Sequence, residues 1–173
     1  MEILIAVLLV PIFAFVPMLL YALVIWWFDR YEKEPFVLLI AAFGWGAIPA
    51  IIFSLVAQLV LDLPISYLVD PEAANLVGVT VVAPITEELF KGGALLFLLL
   101  AEVINRLIVR YVPSILKGRW LRLSLKVLFP PFFRKEIDSP LDGIIYGAMV
   151  GFGFAAVENA LYFGATLIES GAI

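Results

Sequence analysis

The chain has no cysteine and no histidine among its 173 residues. Without cysteine there is no disulfide and no thiolate chemistry. Without histidine, Ser-His-Asp and Cys-His catalysis, imidazole proton shuttling and His-based zinc sites are excluded from this polypeptide. Charge is scarce as well: Asp, Glu, Lys and Arg make up 15% of the chain, where soluble domains carry about 25%. No soluble basic domain is present, so nucleic acid is not an expected partner.

What fills the sequence is apolar. Hydrophobic residues reach 64%, against roughly 45–50% in soluble proteins. In lipid every backbone polar group must be satisfied within the chain, so long apolar runs of this kind are read as helices. The expectation is an all-α protein: one membrane domain, a polytopic transmembrane helix bundle of about four spans plus an interfacial amphipathic segment. The spans are placed at 3–28, 36–61, 76–100 and 140–167. The first contains Pro11 and Pro17 and ends at Trp26 and Trp27, residue types of the interfacial belt. With no basic flank and no small-residue cleavage site it reads as a retained helix and not a signal peptide. The second span buries Ser54 and Gln58, one turn apart. Ser139-Pro140-Leu141-Asp142-Gly143 has the pattern of a helix start.

The basic residues set the orientation. Arg30 and Lys33 lie in the first loop, and eight more, from Arg106 to Lys135, lie in the connection 101–138. The polar loop 62–75 and both termini have none. The positive-inside rule then places the first and third loops in the cytoplasm, and both termini and the second loop outside the cell membrane. Within the long connection, 115–129 mixes leucines with basic residues, the composition of a helix lying on anionic lipids.

The third span carries the exception to this apolar plan. Glu87, Glu88 and Lys91 fall within one helical turn of it. A charge at the centre of a membrane helix costs roughly 2.5–3.5 kcal/mol on insertion scales, which makes the cluster a functional hypothesis. At about 100° per residue, Lys91 lies angularly between the two glutamates, and Thr80 and Pro84 share their sector. Two close carboxylates in low-dielectric surroundings share protons unequally, so one can act as a general base on water. Helical rise puts Glu87 about 16 Å in from one membrane face and Glu158, on the fourth span, about 24 Å in from the other, so they reach similar depth. Glu158 projects from a face of small residues, Gly143, Gly147 and Gly151, with Asn159 beside it. Plainer readings stand next to these. Glu87 and Lys91 can be a register-fixing ion pair, the glycines and Phe154 packing alone, Gln58 and Asn159 interhelical glue, and the Asp29-to-Pro35 turn a solvated interfacial loop.

Three blocks resemble a known family. Asp29-Arg-x-Glu-x-Glu-Pro35, Ala83-Pro-x-x-Glu-Glu-x-x-Lys91 and the long Ser139-Pro-Leu-Asp-Gly stretch through Phe154-x-x-x-Glu158-Asn159 are similar, in order and spacing, to the PrsW family of glutamic-type intramembrane proteases, relatives of the CAAX prenyl proteases. The resemblance implies an endopeptidase that hydrolyses a peptide bond of a membrane-bound protein such as an anti-sigma factor. It implies Glu87, Glu88 and Glu158 as catalytic residues, with Lys91, Asn159, Phe154 and Tyr162 in support. The family continues past the Glu-Asn motif into a helix bearing a histidine, whereas this sequence runs to Ile173 without one. A shortened chain, a catalytically inactive relative that binds membrane proteins as a scaffold, and a carboxylate-only site are the resulting alternatives. Ion or proton transport is a third class, disfavoured because no inverted repeat is visible. A divalent metal such as zinc stays open as a cofactor, with a carboxylate set that would select weakly among metals.

Overall fold

The computed structural model describes residues 2–29, 33–111, 137 and 139–170 (side chains of 2–7 and 101–111 excepted), and among them every regular element is helical. Helix α1 is Glu2–Phe28. Helix α2, Phe36–Trp45, runs through a π turn at Gly46–Ala50 into α3, Ile51–Leu68. Helix α4, Pro71–Val77, runs through a second π turn at Gly78–Val82 into α5, Ala83–Tyr111. Helix α6 is Pro140–Glu169.

Both π turns sit at prolines. Pro49 lies inside the first, and Pro84 follows two residues after the second. A proline offers no N–H and its ring presses on the carbonyl four residues back. Widening the turn by one residue relieves that contact without ending the helix.

The boundaries differ from the sequence reading in two places. The expected polar loop 62–75 is mostly helix, broken only at Val69 and Asp70. The break is local chemistry. Asp70 precedes a proline, which drives it to extended backbone, and its Oδ1 accepts from the backbone N–H groups of Glu72 and Ala73 at 3.1 and 3.0 Å. Helix α5 runs on to Tyr111 instead of ending near residue 100, since no glycine or proline interrupts 101–111. The expected start of α6 is present as a capping box: Ser139 Oγ accepts from Asp142 N–H, and Asp142 Oδ2 accepts from Ser139 N–H at 2.7 Å. The basic connection, including the interfacial helix expected over 115–129, lies outside the described residues.

Among the described residues three helices are long and apolar enough to cross a membrane: Leu8–Phe28, Phe36–Leu68 and Pro140–Glu169. The chain is a polytopic helical membrane protein. Large apolar side chains such as Phe13, Val37, Leu59 and Leu68 are exposed on the bundle surface, as suits helices facing lipid. Helix α5 carries Glu87, Glu88 and Lys91 and packs against both α3 and α6.

Helix α6 is the axis of the bundle, in contact with α1, α2, the first π turn and α5. Its Tyr146 and Val150 are buried with Leu38, Leu39 and Ala42 of α2 and Ala94 of α5, flanked by Ala22, Ile25 and Trp26 of α1. One helix turn further along α6, Phe154 packs on Ala50 and Ile51. Trp45 Nε1 donates to the Phe90 carbonyl at 2.9 Å, tying α2 to α5.

The close helix approach is not on the glycine row expected from the sequence. At Gly143 and Gly151 a Cβ would meet nothing within 4 Å, and at Gly147 only the Leu95 side chain at 3.6 Å. Backbones touch instead at Gly46, against Val150 and Phe154, and at Gly153, against Phe43 and Ala47. Gly153 lies about 140° around the helix from Glu158. One face of α6 is therefore given to packing, and a separate face is left for Glu158.

Asp29, Lys33 and Glu34, the described charged residues between α1 and α2, are docked, where a solvated loop was expected. Asp29 is buried and accepts from Glu34 N–H at 2.9 Å. Tyr146 donates its hydroxyl to Glu34 Oε2 at 2.6 Å, and Lys33 Nζ sits 4.4 Å from the Trp26 ring centroid. Burial pushes the Glu34 carboxyl up to about 7, with Asp142 and Asp29 adding to the rise and Tyr146 opposing it. A carboxyl raised in the folded state stabilises the fold fully below its ordinary value of 4.5, and that contribution is lost as pH rises through about 7. The midpoint of thermal unfolding in detergent is expected to fall between about pH 5 and pH 8, and Glu34→Gln to flatten that decline. An unchanged slope in the variant would assign the pH dependence to other groups.

Candidate active site

Helices α3, α5 and α6, with the second π turn, border an open-sided cavity of about 430 Å³. Ser54 and Gln58 line it from α3, Pro84 and Glu87 from α5, and Phe154, Glu158 and Tyr162 from α6. Two carboxylates from different helices thus share one space. Among the described residues, Glu87 and Lys91 are the charged groups that act on Glu158.

Lys91 organises the α5 side. Its Nζ is 3.6 Å from Glu87 Oε2 and 2.9 Å from Glu88 Oε1, and it lies 4.0 Å from the centroid of the Phe154 ring. The lysine stands between the two glutamates, as the helical spacing implies. Phe154, only 4% exposed, packs the second core cluster and also carries this cation on its ring, so it is more than filler.

The two glutamates of α5 are not equivalent. The Glu87 side chain is 23% exposed and faces the cavity, while that of Glu88 is 75% exposed and does not. Successive residues on a helix are about 100° apart, so only one of the pair can point into a site held between two neighbours. The structure brings Glu87 together with Glu158 and leaves Glu88 on the far side of Lys91. Asn159 is half-buried next to Glu158 and is not part of the cavity wall; Tyr162 is exposed at its edge.

One polar residue went without a role in the sequence reading. Thr86, 4% exposed, accepts from Gln58 Nε2 at 3.3 Å, and its hydroxyl lies 2.8 Å from the Val82 carbonyl, which it can bond in turn. This contact pins α3 to α5 beside Glu87. The signal was weak: a threonine hydroxyl bonding one turn back leaves no trace in hydrophobic periodicity. The Ser54–Gln58 spacing was the stronger hint, and Gln58 does act as interhelical glue.

The described residues do not fit a metal. Among the described residues no group of three His, Cys, Asp or Glu side chains is placed to hold one. The lysine ammonium already stands beside Glu87, and a zinc site takes at least three protein ligands, commonly with nitrogen or sulfur. What Glu87 and Glu158 do fit is proton transfer, two carboxylates on either side of a space large enough for water and a peptide group.

Comparison with known proteins agrees with the motif resemblance. The model of a family described as PrsW family intramembrane metalloprotease matches residues 34–118 and 123–173, which take in every cavity residue named above. The chain is 46% identical over 44 residues to Protease PrsW of Geobacillus kaustophilus (strain HTA426). That stretch is 25% of this chain and 20% of the relative, so the match spans about a fifth of the relative's length. No solved structure matches the chain. With the family match extending over most of its length, the chain belongs to the PrsW family of intramembrane metalloproteases.

Proposed function

We propose that this protein is an intramembrane endopeptidase that cleaves a peptide bond in a membrane-bound protein. The observation that carries the reading is the pair Glu87 and Glu158 on one cavity inside a membrane bundle. Glu87 takes a proton from water as the water oxygen attacks the scissile carbonyl carbon. Glu158, from the α6 wall, gives a proton to the leaving nitrogen as the C–N bond breaks. Passing the proton held by Glu87 on to Glu158 restores both groups. Lys91 balances the charge of Glu87 and is itself held by Phe154. Glu88 is assigned a supporting role through Lys91. The family description names a metal, but the described residues do not supply a site for one, and no step above is routed through it.

Charge distribution supports a multi-pass orientation with both termini and the α3–α4 turn outside, and with α5 crossing as a fourth span between α3 and α6. The carboxylate cavity then lies toward the outer leaflet, a position suited to a substrate anchored by one span, such as an anti-sigma factor. The basic residues of 112–136 suit contact with anionic lipids on the cytoplasmic face. The test is cleavage of a single-span membrane protein by the purified protein in proteoliposomes. Release of product that depends on Glu87 supports the reading; capture of the same protein with no product at any enzyme concentration would make this chain a binder.

A further inference from the structure

Along α3 every fourth residue from Ser54 is polar: Ser54, Gln58, Asp62 and Ser66. The stripe is about 18 Å long by helical rise. Ser54 is buried, Gln58 half-buried, and Asp62 and Ser66 exposed, so exposure of the stripe rises toward the α3–α4 turn. A second cavity of about 250 Å³ follows the stripe, lined by Gln58, Asp62 and Ser66 on one side and Asn75 and Gly78 on the other. It shares Gln58, Val79 and Ala83 with the carboxylate cavity, so the two are neighbours through a common wall. A Cβ at Gly78 would sit 3.3 Å from Asp62 Oδ1, so glycine there keeps the slot open beside the carboxylate. Leu59, Val60 and Leu61, on other faces of α3, are apolar and exposed as lipid-facing residues.

A file of polar side chains that includes a carboxylate is expensive in a membrane unless it is wet. We infer that the Gln58–Asp62–Ser66 seam is the hydrated route by which water enters the Glu87–Glu158 cavity from the α3–α4 end of the bundle. Its part in hydrolysis rests on the protease reading; its hydration does not. Gln58 stands where the two cavities meet, and its side chain is positioned there by its bond to Thr86.

The lack of cysteine makes the test direct. Single-cysteine variants of the full chain in proteoliposomes are treated with the membrane-impermeant reagent MTSET, which reacts with thiolate and hence only where water reaches the sulfur. Gln58→Cys, Asp62→Cys and Ala83→Cys are expected to react at least ~10-fold faster than the depth-matched controls Leu59→Cys and Val60→Cys, because a thiol facing lipid stays protonated. The double change Asp62→Leu/Ser66→Leu, made in the Ala83→Cys background, is expected to slow labelling of Ala83→Cys to the rate of the controls. If Gln58→Cys and Ala83→Cys are both as slow as Leu59→Cys, the seam is dry packing and the inference fails. If Ala83→Cys labels fast with the mouth plugged, water arrives elsewhere and the route is wrong. With a cleaved substrate in hand, the plugged protein should lose kcat and keep KM. A parent protein that cleaves nothing overturns the protease reading, and the labelling pattern still decides the route.

Discussion

Glu87→Gln and Glu158→Gln are each expected to lower the turnover of a membrane-anchored substrate by about 10²–10⁴-fold, the range that general acid–base groups contribute. Glutamine keeps the size of each side chain and its place in the cavity wall, so KM should move little. In the proposed mechanism the two roles serve one proton circuit, so the double variant should be scarcely slower than either single one, as groups acting as a unit are strongly non-additive. Glu88→Gln is the informative contrast. Its side chain is turned away from the cavity and reaches the site only through Lys91, so a loss below about 10-fold is expected, on the scale of one exposed charge pair. Equal loss for Glu87 and Glu88 would contradict the geometry, and full activity in Glu158→Gln would remove α6 from the chemistry.

The second large effect is structural. Gly46→Ala and Gly153→Ala each place a methyl group on a backbone carbonyl of the facing helix, that of Val150 and of Phe43 respectively. Overpacking a core typically costs about 1–3 kcal/mol when side chains can give way. Here the obstacle is main chain on a rigid helix, so the cost should reach the top of that range or exceed it. The controls lie on α6 with Gly153: Gly143→Ala and Gly151→Ala meet nothing within 4 Å and should gain up to about 1 kcal/mol of helix propensity. Denaturant unfolding in mixed micelles measures all four. If Gly153→Ala is as stable as Gly151→Ala, the helix crossing is wrong. A Gly153→Ala protein that folds with α6 displaced should also lose cleavage, because Glu158 rides on that helix.

The two predictions concern opposite faces of α6, and that division explains what could be read beforehand. Small residues at spacings of four were visible, and so was Glu158 among them, which suggested that glycine packing and the carboxylate shared a face. Periodicity places residues on a common face; it does not say which face a neighbour covers. The face carrying Gly153, Tyr146 and Val150 meets α2, and the Glu158 face is left to border the cavity. The Asp29-to-Pro35 turn followed the same pattern. Its charge suggested solvent, yet Glu34 finds Tyr146 across 112 positions of sequence, a partner no local pattern indicates.

The π turns were half legible. Pro49 and Pro84 were plain in the sequence, and a loosened backbone before Glu87 follows from proline chemistry. That the helix widens and carries on, and does not break, depends on neighbours holding both halves in line: Trp45 bonded to the Phe90 carbonyl, and Gln58 bonded to Thr86.

By itself the sequence determined the class of molecule and the stock of chemistry: a helical membrane protein with carboxylates and one lysine set within its apolar runs, no thiol and no imidazole. Those conclusions rest on composition and on the cost of placing charge or bare backbone in lipid, which act on every residue regardless of its partners. Only the tertiary structure decided that Glu87 and not Glu88 faces Glu158, that Gly46 and Gly153 carry the helix contact, and that a polar seam on α3 runs to the cavity. Each of these depends on the rotation of one helix against another. Side-chain packing between helices sets that rotation, and a linear pattern leaves it free.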